Sequence, residues 1–383
     1  MNQDTRPTSQ ALGRSIGINL LWLQPGSVGG SEQYVTRLLR AAAGKWPSDY
    51  AVHLYSTPEF ASAYPEIADR YQITTSPIAS KNKAARIAAE NSWLARQTSH
   101  HDLVHHFGGV IPYVRSAVPT VTIHDLQPID LPDNFNAVKR KWLRHALPHT
   151  AKAARLIMVP SEFTARRLES LYGVSRDQIS IVPQGADPAI DPASYNYSPA
   201  EKFGTYLIYP AIAYNHKRHI DIIRALSLMG DSYSHVNLVL TGSPGPNDEK
   251  VDEVAEHLGL SKRVHRMGRV SSAFLQALYR DALALVFPSA YEGFGNPVLE
   301  AMKLKCPVIT SNAEALTEVS GGCSLVFGVG DAAGLANCIE TVHTDRPLVE
   351  DMIARAEMRA NQFDWDASGT ALVEGYTKAL NLV

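Results

Sequence analysis

The chain has 383 residues, 45% of them hydrophobic, more than one compact core organises and enough for two α/β domains with a cleft between them. Lys and Arg total 36 against 38 Asp and Glu, and the net charge of −2 excludes a global attraction to nucleic acid, so an anion must be bound locally. Three cysteines, Cys306, Cys323 and Cys338, lack metal-ligand spacing and read as buried thiols in a reducing, cytoplasmic setting rather than as a disulfide framework.

Residues 1–14 are polar and read as a loose tail. The apolar run Ile16–Leu23 ends in Gln24-Pro25-Gly26 instead of a small-residue cleavage site, which makes it a first β-strand and not a signal peptide. Nowhere do about eighteen apolar residues follow one another, so no transmembrane helix is predicted. After a glycine turn, Tyr34, Val35, Leu38, Leu39, Ala42 and Ala43 fall at helical spacing behind Ser31, which is expected to cap that helix. Strands then follow at Ala51–Tyr55, Leu103–Phe107, Thr120–Ile123, Leu156–Val159 and Ile179–Val182, giving a first α/β domain over residues 15–190.

The Pro- and Asp-rich run Asp187–Pro192 breaks both periodicities and marks a linker, placed at residues 191–200. A second series, 201–364, has strands at Tyr206–Tyr209, Asn237–Leu240, Ala284–Phe287, Val308–Thr310 and Ser324–Val326. Its helices lie near Ile220–Met229, Glu249–Leu258, Ala273–Tyr279, Pro297–Leu304 and Gly334–Thr341. Residues 365–383 form a last amphipathic segment with Leu372, Tyr376 and Leu380 at helical spacing. Strands alternating with helices imply parallel sheets.

Two turns carry chemistry. Gly26-Ser27-Val28-Gly29-Gly30-Ser31-Glu32 joins a strand to a helix, where free amides and the helix dipole favour an anion; it has neither the Lys-Ser/Thr of a P-loop nor dinucleotide glycine spacing, and a purely structural turn is the competing reading. In the second half, Ser289-Ala290-Tyr291-Glu292-Gly293-Phe294-Gly295-Asn296-Pro297-Val298-Leu299-Glu300 leads from an apolar strand into a helix opened by Pro297. Its glycines admit a ligand to the backbone and its amides suit a diphosphate. Glu292 and Glu300 would repel that phosphate directly, so their use is to accept hydrogen bonds from sugar hydroxyls.

This segment resembles the Glu-x7-Glu signature of retaining family 4 glycosyltransferases, which have the GT-B fold. The likeness covers nearly the whole chain, because further pieces come in order: Gly29-Gly30-Ser31-Glu32, Thr122-Ile123-His124-Asp125-Leu126, Ser161-Glu162-Phe163-Thr164, Val182-Pro183-Gln184-Gly185, Gly268-Arg269-Val270 and Pro307-Val308-Ile309-Thr310-Ser311-Asn312. It implies two Rossmann-like domains facing across a cleft, the first for the acceptor and the second for a nucleotide-sugar, with the last helix crossing back to the first domain. By position, Glu292 contacts the transferred sugar, Glu300 the ribose, the backbone around Gly293, Phe294, Gly295 and Asn296 the diphosphate, and His124 the donor sugar. Gly29 and Gly30 border the donor, and Lys217 neutralises the leaving diphosphate. Relatives often place an arginine a few residues before that lysine. This chain has Ala211-Ile212-Ala213-Tyr214-Asn215-His216-Lys217-Arg218, which leaves Arg218 or His216 as the compensating donor-binding group.

The resemblance implies same-face substitution without a covalent intermediate, with no cofactor and no metal. Asp364-Trp365-Asp366 spells a carboxylate pair of the metal-binding kind but stands where a helix starts. The acid-free stretch from Lys139 through Arg140, Lys141, Arg144 and Lys152 to Arg155 is read as a domain helix burying Trp142, Leu143, Ala146 and Leu147, with peripheral contact to an anionic membrane as the alternative. The resulting expectation is a hexosyltransferase acting on a glycan, lipid-linked or small-molecule acceptor. GDP-mannose is the first choice of donor and UDP- or dTDP-sugars stay open. The rivals are an epimerase or glycosyl phosphorylase on the same fold, and a catalytically degenerate nucleotide-sugar binder.

Overall fold

A computed structural model describes residues 13–27, 29–78, 82–190 and 198–382. Residues 1–12 of the expected 1–14 tail and most of the linker, 191–197, lie outside them; Arg14, placed in that tail, instead opens the first strand. Seven parallel strands form the first sheet: β1 (Arg14–Asn19), β2 (Tyr50–Ser56), β3 (Gln72–Thr75), β4 (Leu103–His106), β5 (Val118–Thr122), β6 (Leu156–Val159) and β7 (Ile179–Ile181), in the order β3-β2-β1-β4-β5-β6-β7. The second sheet is likewise parallel: β8 (Tyr206–Pro210), β9 (Asn237–Thr241), β10 (Val264–Arg266), β11 (Ala284–Phe287), β12 (Val308–Ser311) and β13 (Leu325–Phe327), in the order β10-β9-β8-β11-β12-β13. Both are doubly wound. Strand order reverses between β1 and β4 and between β8 and β11, and in such sheets ligands collect at the carboxyl ends beside the reversal.

Three further expectations need correcting. β1 stops at Asn19, because the Asn19 side chain accepts from Leu21 N at 3.0 Å and turns the chain, so Leu20–Leu23 are not strand, although Leu20, Leu21 and Leu23 are buried. Ser31 does not cap its helix: the helix Gly30–Ala42 starts one residue earlier, with Gly29 at φ 77° as the N-terminal residue and no side-chain cap. Trp142 is not buried. In the helix Ala137–Ala153 the buried face is Leu143, Ala146, Leu147, Thr150 and Ala151, and Trp142 is 36% exposed. The edge strands β3 and β10 and the helix Arg346–Ala360 are additions that no sequence pattern announced.

The last helix, Trp365–Asn381, joins the first domain's core. Leu372, Val373, Tyr376 and Ala379 pack with Ile16, Ile18, Val35 and Leu39, and burying such apolar surface is worth about 25 cal/mol per Å². Tyr376 stacks on Trp46 at 5.5 Å and its hydroxyl lies 2.6 Å from His105 Nδ1. Asp364 begins this helix by accepting from Ala367 N at 2.6 Å, and Asp366 pairs with Lys45 at 2.7 Å. Those carboxylates are therefore occupied by a cap and an ion pair. Cys306 and Cys323 are buried free thiols, and Cys338 is partly buried.

Candidate functional site

The second reversal brings two loops together. After β8 the chain forms a tight turn, Asn215–Lys217, whose last carbonyl accepts from the Tyr209 hydroxyl at 2.7 Å. After β11, Ala290 N donates to the His216 carbonyl at 2.7 Å, stitching the loops side by side. That brings Lys217 Nζ within 2.5 Å of Glu292 Oε1, their side chains 18% and 15% exposed, with the ammonium 5.5 Å from the Phe287 ring centre. A cation and a carboxylate so shielded from water interact strongly, and each depends on the other.

Glu292 is followed by Gly293, Phe294 and Gly295. Gly295 sits at φ 113°, where a side chain is disfavoured, and a Cβ would stand 2.7 Å from Leu316 Cδ2. It opens the helix Asn296–Lys303, whose first turn has no side-chain cap, the arrangement that suits an anion. Phe294 is buried against Phe363. Glu300 receives hydrogen bonds from Tyr279 (3.1 Å) and Asn296 Nδ2 (3.0 Å). Loss of solvent pushes its carboxyl up to about 7; Tyr279 and Arg37 pull it down, and Asp187 pushes it further up. Glu300 lines a cavity of about 60 Å³ that also includes Gln33 and Arg37, from the other domain.

From the first sheet, His124 follows β5 with its ring edge-on to Tyr34, centroids 5.3 Å apart. Burial lowers its pKa to about 4, with a Phe107 backbone hydrogen bond opposing, so the ring is neutral at pH 7. Its Nε2 is buried and has no partner among the described residues. Asp125 caps the next turn by accepting from Gln127 N at 3.0 Å; desolvation raises its pKa, the Gln127 bond opposes that, the Glu292 charge adds to it, and Lys217 and Lys139 lower it. Gly29 and Gly30 have open space where a Cβ would stand. The turn they end is tied to Glu32, which accepts from Gly26 N at 2.7 Å, and Arg269 of the second domain donates to the Gly26 carbonyl at 3.1 Å.

The two domains meet over this cleft. The Tyr291 hydroxyl accepts from Leu126 N at 3.1 Å, and Ser161 Oγ donates to the Gly293 carbonyl at 2.6 Å. A Cβ on Gly293 would overlap the carbonyl oxygen of His124. Glu318 accepts from Glu162 N and Phe163 N at 2.7 and 2.8 Å, capping the helix Glu162–Tyr172 from across the interface. His216 has each ring nitrogen 3.0 Å from a side-chain amide of the first domain, Gln127 and Asn134, and burial lowers its pKa to about 4. It therefore supplies a neutral bridge and no second cation. Arg218, at φ 53°, turns to Asp221 (2.5 Å) and lines a cavity with Arg224 and Lys250 that neither Lys217 nor Glu292 borders.

The family model for glycosyl transferases group 1 matches residues 196–359, and that for glycosyltransferase family 4 matches residues 28–190. The chain belongs to the GT-B glycosyltransferases. It is 25% identical to O-antigen chain mannosyltransferase B of Escherichia coli over 74% of this chain and 76% of that one. It is also 25% identical to O-antigen chain mannosyltransferase RfbU of Salmonella typhimurium, over 70% and 69%. The structure of Anabaena HepE in complex with UDP and glucose superposes with a TM-score of 0.72 at 18% identity, covering 95% of this chain and 99% of that one, a likeness of fold alone.

In this glycosyltransferase the glycine loop, its two carboxylates and His124 are marked by sequence motifs, whereas the first-domain groups beside Glu300 are not. Gln33 and Arg37 stand one turn apart on the helix Gly30–Ala42, and both line the Glu300 cavity. Their helical spacing behind the glycine turn was the available signal. Among the described residues no helix is long and apolar enough to cross a membrane.

Proposed function

We propose that the protein transfers a hexose from a nucleotide-diphosphate sugar to a glycan or lipid-linked acceptor with retention of anomeric configuration and without a metal ion, GDP-mannose being the first candidate donor. The observation that carries this reading is the cluster of Lys217, Glu292 and Glu300 around the Gly293–Gly295 turn at the second sheet's reversal. The second domain then binds the donor and the first the acceptor. The diphosphate sits over the uncapped helix start, Glu300 holds the ribose diol, and Glu292 leaves Lys217 to accept sugar hydroxyls. The freed ammonium faces the leaving oxygen, where negative charge develops. In the transfer, the bond from C1 to the phosphate oxygen breaks and a bond from C1 to the acceptor oxygen forms on the same face. The acceptor's proton passes to the departing phosphate oxygen. Neutral His124 hydrogen-bonds the sugar.

Similarity to two O-antigen mannosyltransferases supports mannose and a surface polysaccharide; HepE, described with UDP and glucose, keeps a uridine donor as the alternative. The basic, partly exposed face around Lys139–Arg155 fits peripheral contact with an anionic membrane carrying such an acceptor. The test is thermal stabilisation by GDP, UDP, dTDP and their sugars, followed by nucleotide release in the presence of acceptor. Ligand at a hundred times its Kd adds about 2.7 kcal/mol. One nucleotide family stabilising the wild type but not Glu300→Ala supports the reading. No stabilisation by any overturns it, and stabilisation without nucleotide release favours the degenerate binder.

A further inference from the structure

A second crevice lies at the first sheet's reversal, between the ends of β1 and β4, where doubly wound sheets take ligands. Asn19, Trp22, Arg86, Glu90, Tyr113 and Trp142 line it, together with the backbone at Gly108. The helix beneath it runs regularly from Lys83 to Ala89, widens into a π turn over Glu90–Leu94 and resumes over Ala95–Gln97. Such turns concentrate at functional sites because they re-aim a side chain at the cost of helix hydrogen bonds. Here neither proline nor glycine causes it. Asn91 Nδ2 and Ser92 Oγ bond back to the Ile87 and Ala88 carbonyls at 2.8 and 2.6 Å, and Asn91 Oδ1 accepts from Val114 N at 3.0 Å, pinning the turn to the crevice wall.

The turn brings Glu90 to the cavity, where its carboxylate accepts from Asn19 Nδ2 at 3.3 Å. Trp22 Nε1 and Arg86 Nε are buried N–H donors with no partner among the described residues. The Trp22 ring is seated against Gly108, where a Cβ would stand 3.0 Å from Trp22 Cδ1. Trp142 and Tyr113 are exposed at the rim, Tyr113 stacked on His149 at 4.3 Å. Aromatic faces, unsatisfied N–H donors and a carboxylate acceptor in one concavity match a pyranose, whose C–H face stacks while its hydroxyls both donate and accept. A phosphate would meet Glu90, and an apolar ligand would leave the donors unsatisfied.

We infer that this crevice binds the terminal pyranose of the acceptor, stacked on Trp142 and read by Glu90 through its hydroxyls. That the pyranose belongs to an acceptor rests on the transferase reading; that a pyranose binds rests on the crevice alone. The probes are methyl α-D-mannopyranoside and methyl α-D-glucopyranoside, titrated against the full chain by saturation-transfer NMR and tryptophan fluorescence, with Glu90→Gln and the surface variant Trp142→Ala alongside. Binding of at least one pyranoside, weakened about tenfold or more in both variants while the nucleotide-induced thermal shift is unchanged, is the expected result. In turnover, both variants raise the KM for acceptor and largely keep kcat. No pyranoside binding, or binding that both variants retain, overturns the assignment. Because the nucleotide shift is read without any sugar acceptor, its absence from the wild type instead overturns the transferase reading.

Discussion

Replacing Glu300 by Gln changes how stability depends on pH, by an amount the site dictates. Its carboxyl sits at about 7 in the folded protein against an ordinary 4.5, because burial costs the charged form more than Tyr279 and Arg37 recover. A folded pKa above the unfolded one means the native state holds the proton longer. The resulting stabilisation is complete below pH 4.5 and is lost as pH rises through 7. The full shift corresponds to about 3 kcal/mol, and solvent reaching this partly buried side chain brings the expected loss to about 2 kcal/mol. Urea unfolding of wild type and Glu300→Gln at half-unit steps from about pH 4 to about pH 9 measures it. Wild-type stability should fall relative to the variant by that amount and level off above about pH 8. Parallel curves would show that Glu300 is solvated like an ordinary carboxylate and would remove the electrostatic basis of the prediction.

Three further outcomes follow from the contacts. Lys217→Met strands Glu292 in the cleft, where breaking a buried pair costs about 3–5 kcal/mol and a partly shielded one about 2, so chemical denaturation should show that loss, and adding Glu292→Gln should restore part of it. Under the transferase reading, kcat of Lys217→Met also drops about 10²–10³-fold, measured by nucleotide release. Gly293→Ala drives a methyl into the His124 carbonyl; it should cost about 1–3 kcal/mol in stability and enlarge the radius of gyration in small-angle scattering as the domains part. Glu318→Gln weakens the cap on the Glu162–Tyr172 helix, lowering stability by about 0.3–1 kcal/mol, with amide exchange at Glu162 and Phe163 accelerating measurably.

The central strands were legible because they are buried on both faces and read as short apolar runs, as in Leu156–Val159 and Ala284–Phe287. β3 and β10 were not: each pairs on one side only, and Gln72-Ile73-Thr74-Thr75 and Val264-His265-Arg266 carry too little apolar pattern to mark an edge. The end of β1 was invisible for the opposite reason, since Leu20, Leu21 and Leu23 stay buried after the chain has turned. At the site, local chemistry was readable and orientation was not. Gly295 must be glycine at its φ, and the Glu292–Glu300 spacing belongs to one loop and one helix turn. That His216 bridges to Gln127 and Asn134, and that Glu318 caps a helix of the other domain, depend on how two domains dock. No pattern within either domain encodes that. The turn of Arg218 toward Asp221 is local, but it follows from a left-handed backbone at a residue that is not glycine, which the sequence does not announce.

The return of the last helix makes the order of synthesis matter. Lys378 donates to the Ile179 carbonyl across 199 positions, and Tyr376 closes the core that β1 begins. While the second domain is still being made, the first has all seven strands and an open apolar face. Contacts of such sequence separation slow folding, and the waiting surface is what chaperones hold and aggregation consumes. Cutting the chain between the domains would therefore not release two independent pieces, because the second fragment carries the wall of the first one's core.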